Sequence, residues 1–415
     1  MQVRFLGGAG EVGRSGILLE GEQNILFDYG IKVEGAGEYP LVPEHVDAFI
    51  LSHSHLDHSG AAPILYKREF PVAFGTAPTQ ELTNLLIEDA LKISMKEGLK
   101  RRYSRRDFKS FLQKYRPHSF GSDIEFGDYD ITLHDAGHIS GSAMALLENR
   151  NDRRLLYTGD FKLSPQFLQK GAERVKSDIL ITESTYATKE HPDRDHLVHT
   201  FVSRLREVVN SGGIALLPVF AVGRAQEMLA MLEKYGLADT AYLDGMAKKA
   251  TEIVMRHPEY IQNSGVLEAA IGKAGWVQDN EARKRVLTEG NIILTTAGML
   301  NGGPVLNYIR RLNKNSMIFL TGYQVEGTNG RRLMEGKPLV IDGKHVKIET
   351  PFEFYDFSAH AGRSDLHDFI KSSSPETIMC VHGDAQNAES MAEDLRLEGF
   401  EAYAPKVGES IPLDF

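Results

Sequence analysis

Cysteine is almost absent from this chain: Cys380 stands alone among 415 residues. That excludes an internal disulfide and any cysteine-based zinc site. Long apolar runs are missing as well. No stretch reaches the about 18 residues that a bilayer-crossing helix needs, so no membrane span is expected. The opening run Met1-Gln2-Val3-Arg4-Phe5-Leu6 reads as a strand and lacks the apolar core of a signal peptide. A cytoplasmic location is the default that follows. Positive charge is in deficit, with a formal net charge of −10. This argues against broad adhesion to nucleic acid. It leaves room for a local basic groove, and a metal site would itself add positive charge where a phosphate sits. Hydrophobic content of 42% and charged content of 25% are those of an ordinary globular protein. The length favours two domains over one core.

What the chain has is histidine in the right places. His53-Ser54-His55-Leu56-Asp57-His58 follows the apolar run Ala48-Phe49-Ile50-Leu51, which reads as a buried strand, and precedes Ala61 to Tyr66, which reads as the start of a helix. In an extended segment residues two apart share a face, so His53 and His55 can meet one metal ion. Asp57 and His58 lie past a turn and can meet a second. Imidazole and carboxylate suit Zn²⁺, while ligand type alone leaves Mn²⁺ open.

The same design recurs. Ile25-Leu26-Phe27 ends at Asp28, Leu155-Leu156-Tyr157 leads to Asp160, and Ile179-Leu180-Ile181-Thr182 ends at Glu183. His138 follows the strand-like run from Asp130 and sits in a Gly/Ser turn, as a third ligand would. His134 reads as a packed strand histidine. A carboxylate has two oxygens to share, so Asp160 is suited to bridge two ions. Asp28 ends an apolar strand, where it reads as orienting a ligand histidine or a metal-bound water, or as an Asx turn closing the strand. Later in the chain, a strand from Phe354 is expected to end at His360 and another, Thr377–Val381, at His382.

Between these segments the pattern changes. Residues 1–35 read as β-hairpins. Gly8-Ala9-Gly10-Glu11-Val12-Gly13 fits G-x-G-x-x-G, but a strand rather than a helix follows it, so a dinucleotide site is rejected. Lys96, Lys100, Arg101, Arg102, Arg105, Arg106, Lys109, Lys114 and Arg116 form a basic helical stretch, readable as a solvated face or as a nucleic-acid surface. From about 187 to 349 helix and strand alternate in the βαβ rhythm of a parallel sheet. Gly-rich turns there read either as simple turn chemistry or as places where the backbone approaches phosphate, with Arg224, Arg331 and Arg332 as candidate partners. The simplest organisation is a domain of 1–186 plus 350–415 with 187–349 inserted.

Taken in order, Asp28, His53-x-His55-x-Asp57-His58, His138 and Asp160 resemble the successive motifs of the metallo-β-lactamase fold. Glu183, His360 within Phe357-Ser358-Ala359-His360-Ala361, and His382 within Val381-His382-Gly383-Asp384 resemble the three further motifs of its nucleic-acid-processing β-CASP branch. Within that branch the likeness is to archaeal homologues of the nuclease subunit of the cleavage and polyadenylation specificity factor, and more distantly to RNase J. The chain starts on the first strand, without the KH domains many archaeal members carry, and so resembles a minimal catalytic core.

The resemblance implies an αββα sandwich with an inserted Rossmann-like parallel α/β domain. It also implies two Zn²⁺ per chain: His53, His55 and His138 at one, Asp57, His58 and His382 at the other, and Asp160 between them. The implied activity is zinc-dependent hydrolysis of single-stranded RNA by two-metal hydroxide attack, as an endonuclease, a 5′-to-3′ exonuclease or both, leaving a 5′-phosphate and a 3′-hydroxyl. His360 would protonate the leaving oxygen with Glu183 orienting it, and Ser358 would join Arg224, Arg331 and Arg332 on the RNA. A homodimer, or association with other RNA-decay proteins, is left open. So are three alternatives: a small-molecule metallohydrolase on the same fold, a noncatalytic RNA-binding scaffold, and DNA as substrate.

Overall fold

The computed structural model describes residues 1–32, 37–99, 101–287 and 290–415. Residues 33–35 of the hairpin expectation and Lys100 of the basic stretch lie outside the described residues. Contacts divide the chain into two units. One holds Met1–Pro165, Gln169–Glu190 and Ala359–Phe415; the other holds Gln166–Leu168 and His191–Ser358.

Among the described residues, the first unit contains two seven-stranded sheets. One begins with the antiparallel strands Gln2–Gly7, Gly16–Glu20 and Ile25–Phe27 and continues in parallel through Ala48–Ile50, Val72–Gly75 and Tyr115–Pro117. The other pairs Arg154–Tyr157, Ile179–Glu183, Thr377–Val381 and Glu401–Tyr403 in parallel, with an antiparallel meander on the far side. Period-two alternation sorts the side chains. Val3, Phe5, Ile17 and Leu19 of the first sheet share one core with Leu155, Tyr157, Ile179, Ile181, Met379 and Val381 of the second. The alternate residues face outward under helices. Leu6, Leu18 and Leu26 pack with Ile87, Phe108 and Phe111, and Leu156, Leu180, Ile378 and Cys380 pack with Phe369, Met391 and Leu395. Helix, sheet, sheet, helix is therefore the layer order, as alternation on both strand faces requires.

The second unit has a six-stranded, all-parallel sheet that includes Ala215–Pro218, Ala241–Asp244, Ile292–Thr295 and Met317–Leu320. Its central strands are buried on both faces, as helix crossovers demand. One of its edge strands is Phe352–Phe354, paired with Met317–Leu320. This corrects one expectation: no strand runs from Phe354 to His360. The strand stops at Phe354 in the second unit's sheet, and His360 lies in the loop before the helix Arg363–Ser373. The contact boundary accordingly falls at 358/359, where the pattern had suggested 349/350. No helix among the described residues is long and apolar enough to cross a membrane.

Candidate metal centre

Every histidine and acid of the proposed centre comes from the first unit: Asp28, Glu183 and His382 stand at strand ends, His53, His55, His138 and Asp160 in the turns beyond them, Asp57 and His58 on a short helix, and His360 in a loop. The segment 53–55 is extended and a short helix, Leu56–Ser59, follows with His55 as its N-cap. Close packing of this turn requires Gly30: a Cβ there would meet the Asp57 carbonyl oxygen at 1.6 Å. His138 sits in a tight turn closed by the Ser142 hydroxyl, which accepts from the amides of His138 and Ile139 at 3.2 Å. Gly141 completes that turn at φ +80°, with its carbonyl accepting from the Thr76 and Thr79 hydroxyls. Two of the site's non-glycine residues, Asp28 at φ 52° and His382 at φ 48°, hold the left-handed conformation immediately after their strands. Such strain persists where surrounding bonds over-determine it. The His382 amide donates to the Gly8 carbonyl, and its carbonyl accepts from the Thr185 hydroxyl at 2.8 Å.

Ring nitrogens face one another across short gaps. His55 Nδ1 is 3.1 Å from His53 Nε2 and 3.3 Å from His138 Nε2. His58 Nε2 is 3.3 Å from His382 Nε2, which in turn is 3.6 Å from Asp57 Oδ2. Asp160 Oδ2 stands between the two groups, 3.6 Å from His53 Nε2, 3.9 Å from His138 Nε2 and 3.3 Å from His58 Nε2. The edge of a tetrahedron of nitrogen ligands around Zn²⁺ is about 3.3 Å, so these separations fit a shared cation at each group. His53, His55, His138 and Asp160 form one set of convergent ligand atoms, and Asp57, His58 and His382 another.

Electrostatics make the same point. Burial pushes His53 and His138 well below the usual histidine value, and neighbouring imidazoles add to the effect. Neutral imidazole is the form that binds metal. Burial acts the same way on His58, His360 and His382, but there the carboxylates prevail. Asp160 with Asp28 raises His58, Glu183 with Asp160 raises His360, and Asp160 brings His382 to about 10. A divalent cation held between the ligand sets would neutralise the same acids. Asp160 Oδ1 is buried and faces His382 Nδ1 at 2.9 Å. The residues present fit a metal-binding group.

Around the ligands lies a second layer. Asp28 Oδ2 accepts from His58 Nδ1 at 2.7 Å, the Ser52 hydroxyl at 2.7 Å and the Tyr157 hydroxyl at 2.8 Å, and Oδ1 accepts from the Ser52 amide at 2.7 Å. The Ser52 hydroxyl also lies 3.0 Å from His53 Nδ1. Asp28 is thus tied to one histidine of each set, directly to His58 and through Ser52 to His53. His360 Nδ1 lies 2.9 and 3.1 Å from the two oxygens of Glu183. Its side chain keeps 20% of its surface exposed, while His53 and His58 keep none. Sequence reading missed Ser52 and Tyr157. Ser52, next to His53, carried at least a positional hint.

Sequence models of known families match in three stretches: the Beta-Casp domain at residues 225–333, the Zn-dependent metallo-hydrolase RNA specificity domain at 345–405, and the Anti-Pycsar protein Apyc1 at 11–210. "Probable RNase MJ4" of Methanocaldococcus jannaschii is 38% identical over 99% of this chain and 100% of its own length. The chain belongs to the β-CASP metallo-β-lactamase family. "RNase aCSPSF2" of Saccharolobus solfataricus is 34% identical over 99% of this β-CASP chain and 85% of its own. "Transcription termination factor FttA" of M. jannaschii is 35% identical over 95% and 69%. A solved Enterococcus faecalis V583 protein of unknown function shares the fold at TM-score 0.64 and 15% identity, over 99% of both chains.

The remaining expected residues lie in the second unit of this β-CASP protein. Arg224 is a buried residue at the start of the helix Arg224–Lys234. His191 and Arg224 hold Asp356 below the usual carboxylate range against its burial, and the Ser358 amide donates to Asp356 Oδ1. Arg331 pairs with Glu335 one turn along its helix, and Arg332 Nε donates to the Pro338 carbonyl.

Proposed function

We propose that this chain hydrolyses phosphodiester bonds of single-stranded RNA with the help of two zinc ions. The observation that carries the reading is the position of Asp160 Oδ2 between two convergent ligand sets. His53, His55 and His138 would hold one ion and Asp57, His58 and His382 the other, with Asp160 shared. Bound there, a pair of divalent ions supplies Lewis-acid polarisation of the phosphodiester and acidifies water for attack on phosphorus.

The protein's own groups do the rest. Asp28 keeps His58 protonated at Nδ1 and so presents Nε2 inward. Glu183 engages His360 at Nδ1, which turns Nε2 toward the leaving 3′-oxygen; His360 gives it a proton, and the products are a 5′-phosphate and a 3′-hydroxyl. Relatives named as RNases over nearly the whole chain, together with the RNA specificity domain, support RNA as the substrate. A noncatalytic scaffold is disfavoured because each ligand position is filled. The relative named as a transcription termination factor favours a second reading, in which the RNA cleaved is a nascent transcript.

The test is an internally labelled single-stranded RNA carrying a 5′-monophosphate or a 5′-triphosphate, with DNA of the same sequence as competitor. Stepwise mononucleotide release from the monophosphate RNA alone identifies a 5′-to-3′ exonuclease. Internal fragments from both RNAs identify an endonuclease. An intact RNA after incubation with the zinc-loaded protein refutes the proposal.

A further inference from the structure

Lys162 is a lysine with 5% of its surface exposed, two residues beyond Asp160. Burying an ammonium group is costly unless it is paired and hydrogen-bonded. Its Nζ donates to the backbone carbonyl of His360 at 3.0 Å and lies 3.7 Å from Asp365 Oδ2. Asp365 is held in turn by the Ser164 hydroxyl at 2.9 and 3.1 Å.

The neighbouring residue works on the same target. The Phe161 carbonyl accepts from the Ala361 amide at 2.7 Å, and the Phe161 amide donates to Glu183 Oε1 at 2.8 Å. The peptide group between His360 and Ala361 is therefore gripped at its oxygen by Lys162 and at its nitrogen by Phe161. The carboxylate that orients the His360 ring is fixed by that same Phe161. On the other side, His138 Nδ1 is 2.9 Å from the Ala359 carbonyl. His360 sits in a loop, where no strand ladder holds its backbone.

We infer that Lys162 is a positioning residue for His360: its ammonium group fixes the His360 backbone so that the imidazole meets the scissile phosphodiester at a set distance from Asp160. This rests on the proton-donor role proposed above for His360. Structure-only pairing of Lys162 with Asp365 would stabilise the loop without tuning the ring. The two roles separate because the Asp365 carboxylate touches Lys162 and, being an acceptor, cannot donate to the His360 carbonyl in its place.

The experiment compares Lys162→Met, Lys162→Arg, Asp365→Asn and His360→Ala with the wild type as zinc-loaded full chains. Steady-state cleavage of a single-stranded RNA, bound zinc and the thermal midpoint are measured for each. Lys162→Met is expected to lower kcat about 10- to 100-fold, the cost of an ångström-scale misplacement, with KM and bound zinc unchanged. Lys162→Arg, which keeps a cationic donor, should recover a substantial part of kcat. Asp365→Asn should lower the thermal midpoint yet leave kcat near wild type. If Lys162→Met does not fold, Lys162→Met with Asp365→Asn leaves no unpaired charge and should show the same loss of kcat. Wild-type kcat in the methionine variant, loss of its zinc, no recovery by arginine, or an equal kcat loss in Asp365→Asn each overturns the inference. A wild-type rate in His360→Ala overturns instead the role given to His360, and Lys162 loses its assignment with it.

Discussion

Replacing Asp28 by asparagine tests how the ligand histidines are held. Asp28 accepts four hydrogen bonds, three on Oδ2 and one on Oδ1. Asparagine can offer one oxygen. The cheaper orientation puts that oxygen toward His58, Ser52 Oγ and Tyr157 and turns its NH₂ toward the Ser52 amide, so one acceptor is replaced by a donor facing a donor. A buried amide left unsatisfied costs about 1–3 kcal/mol, and bonds to a neutral acceptor are about half as strong as those to a carboxylate. A loss of about 2–4 kcal/mol in stability of the metal-free protein follows. Because His58 and, through Ser52, His53 lose their orienting partner, zinc affinity should fall about 10- to 100-fold. Urea denaturation of metal-free protein measures the first quantity, and competition with a chromophoric chelator measures the second. Unchanged zinc affinity in a variant that is destabilised as stated would refute the claim that Asp28 acts on the ligands.

Other outcomes follow from the same geometry. His360→Ala should keep its zinc and slow RNA cleavage by about 10²–10⁴-fold, read from paired metal analysis and single-turnover rates; zinc loss would reassign His360 to the ligands. Tyr157→Phe removes one of the four bonds on Asp28 and should cost about 1 kcal/mol, measured by denaturation, with zinc retained. Asp135 is raised to about 6, chiefly by burial and also by Glu173, against the bond from the Gly137 amide. The folded state then holds this proton more tightly than the unfolded chain, so stability falls as pH rises from about 4 to about 6 and stays lower above. Asp135→Asn should therefore be more stable than wild type by about 1–3 kcal/mol near pH 7.5, with the difference vanishing near pH 4; an equal gain at both pH values would contradict this.

The layers of the first unit could be read from Val3, Phe5 and Leu6, because period-two alternation states directly which face a side chain takes. The candidate ligands that the structure brings together could be read because most of them fall at or just beyond strand ends, where a run of apolar residues gives way to His, Asp or Glu. His360 was harder. Tyr355 and Phe357 imitate strand alternation, but their rings pack with Phe201 of the second unit's own core, with centroids 5.0 and 5.1 Å away, and no ladder forms. Lys162 was illegible for another reason. One of its partners is a main-chain carbonyl 198 positions away, and a bond to a backbone atom leaves no requirement on side-chain type to be read.

The central claim is that two ligand sets share Asp160 to build an RNA-cleaving centre. Bound zinc and RNA cleavage measured together, in wild type and in Asp160→Ala, test it most directly. Two zinc ions and cleavage are expected in the wild type, and diminished zinc with cleavage abolished in the variant. Cleavage that survives in Asp160→Ala, or in wild type freed of divalent metal, would contradict it.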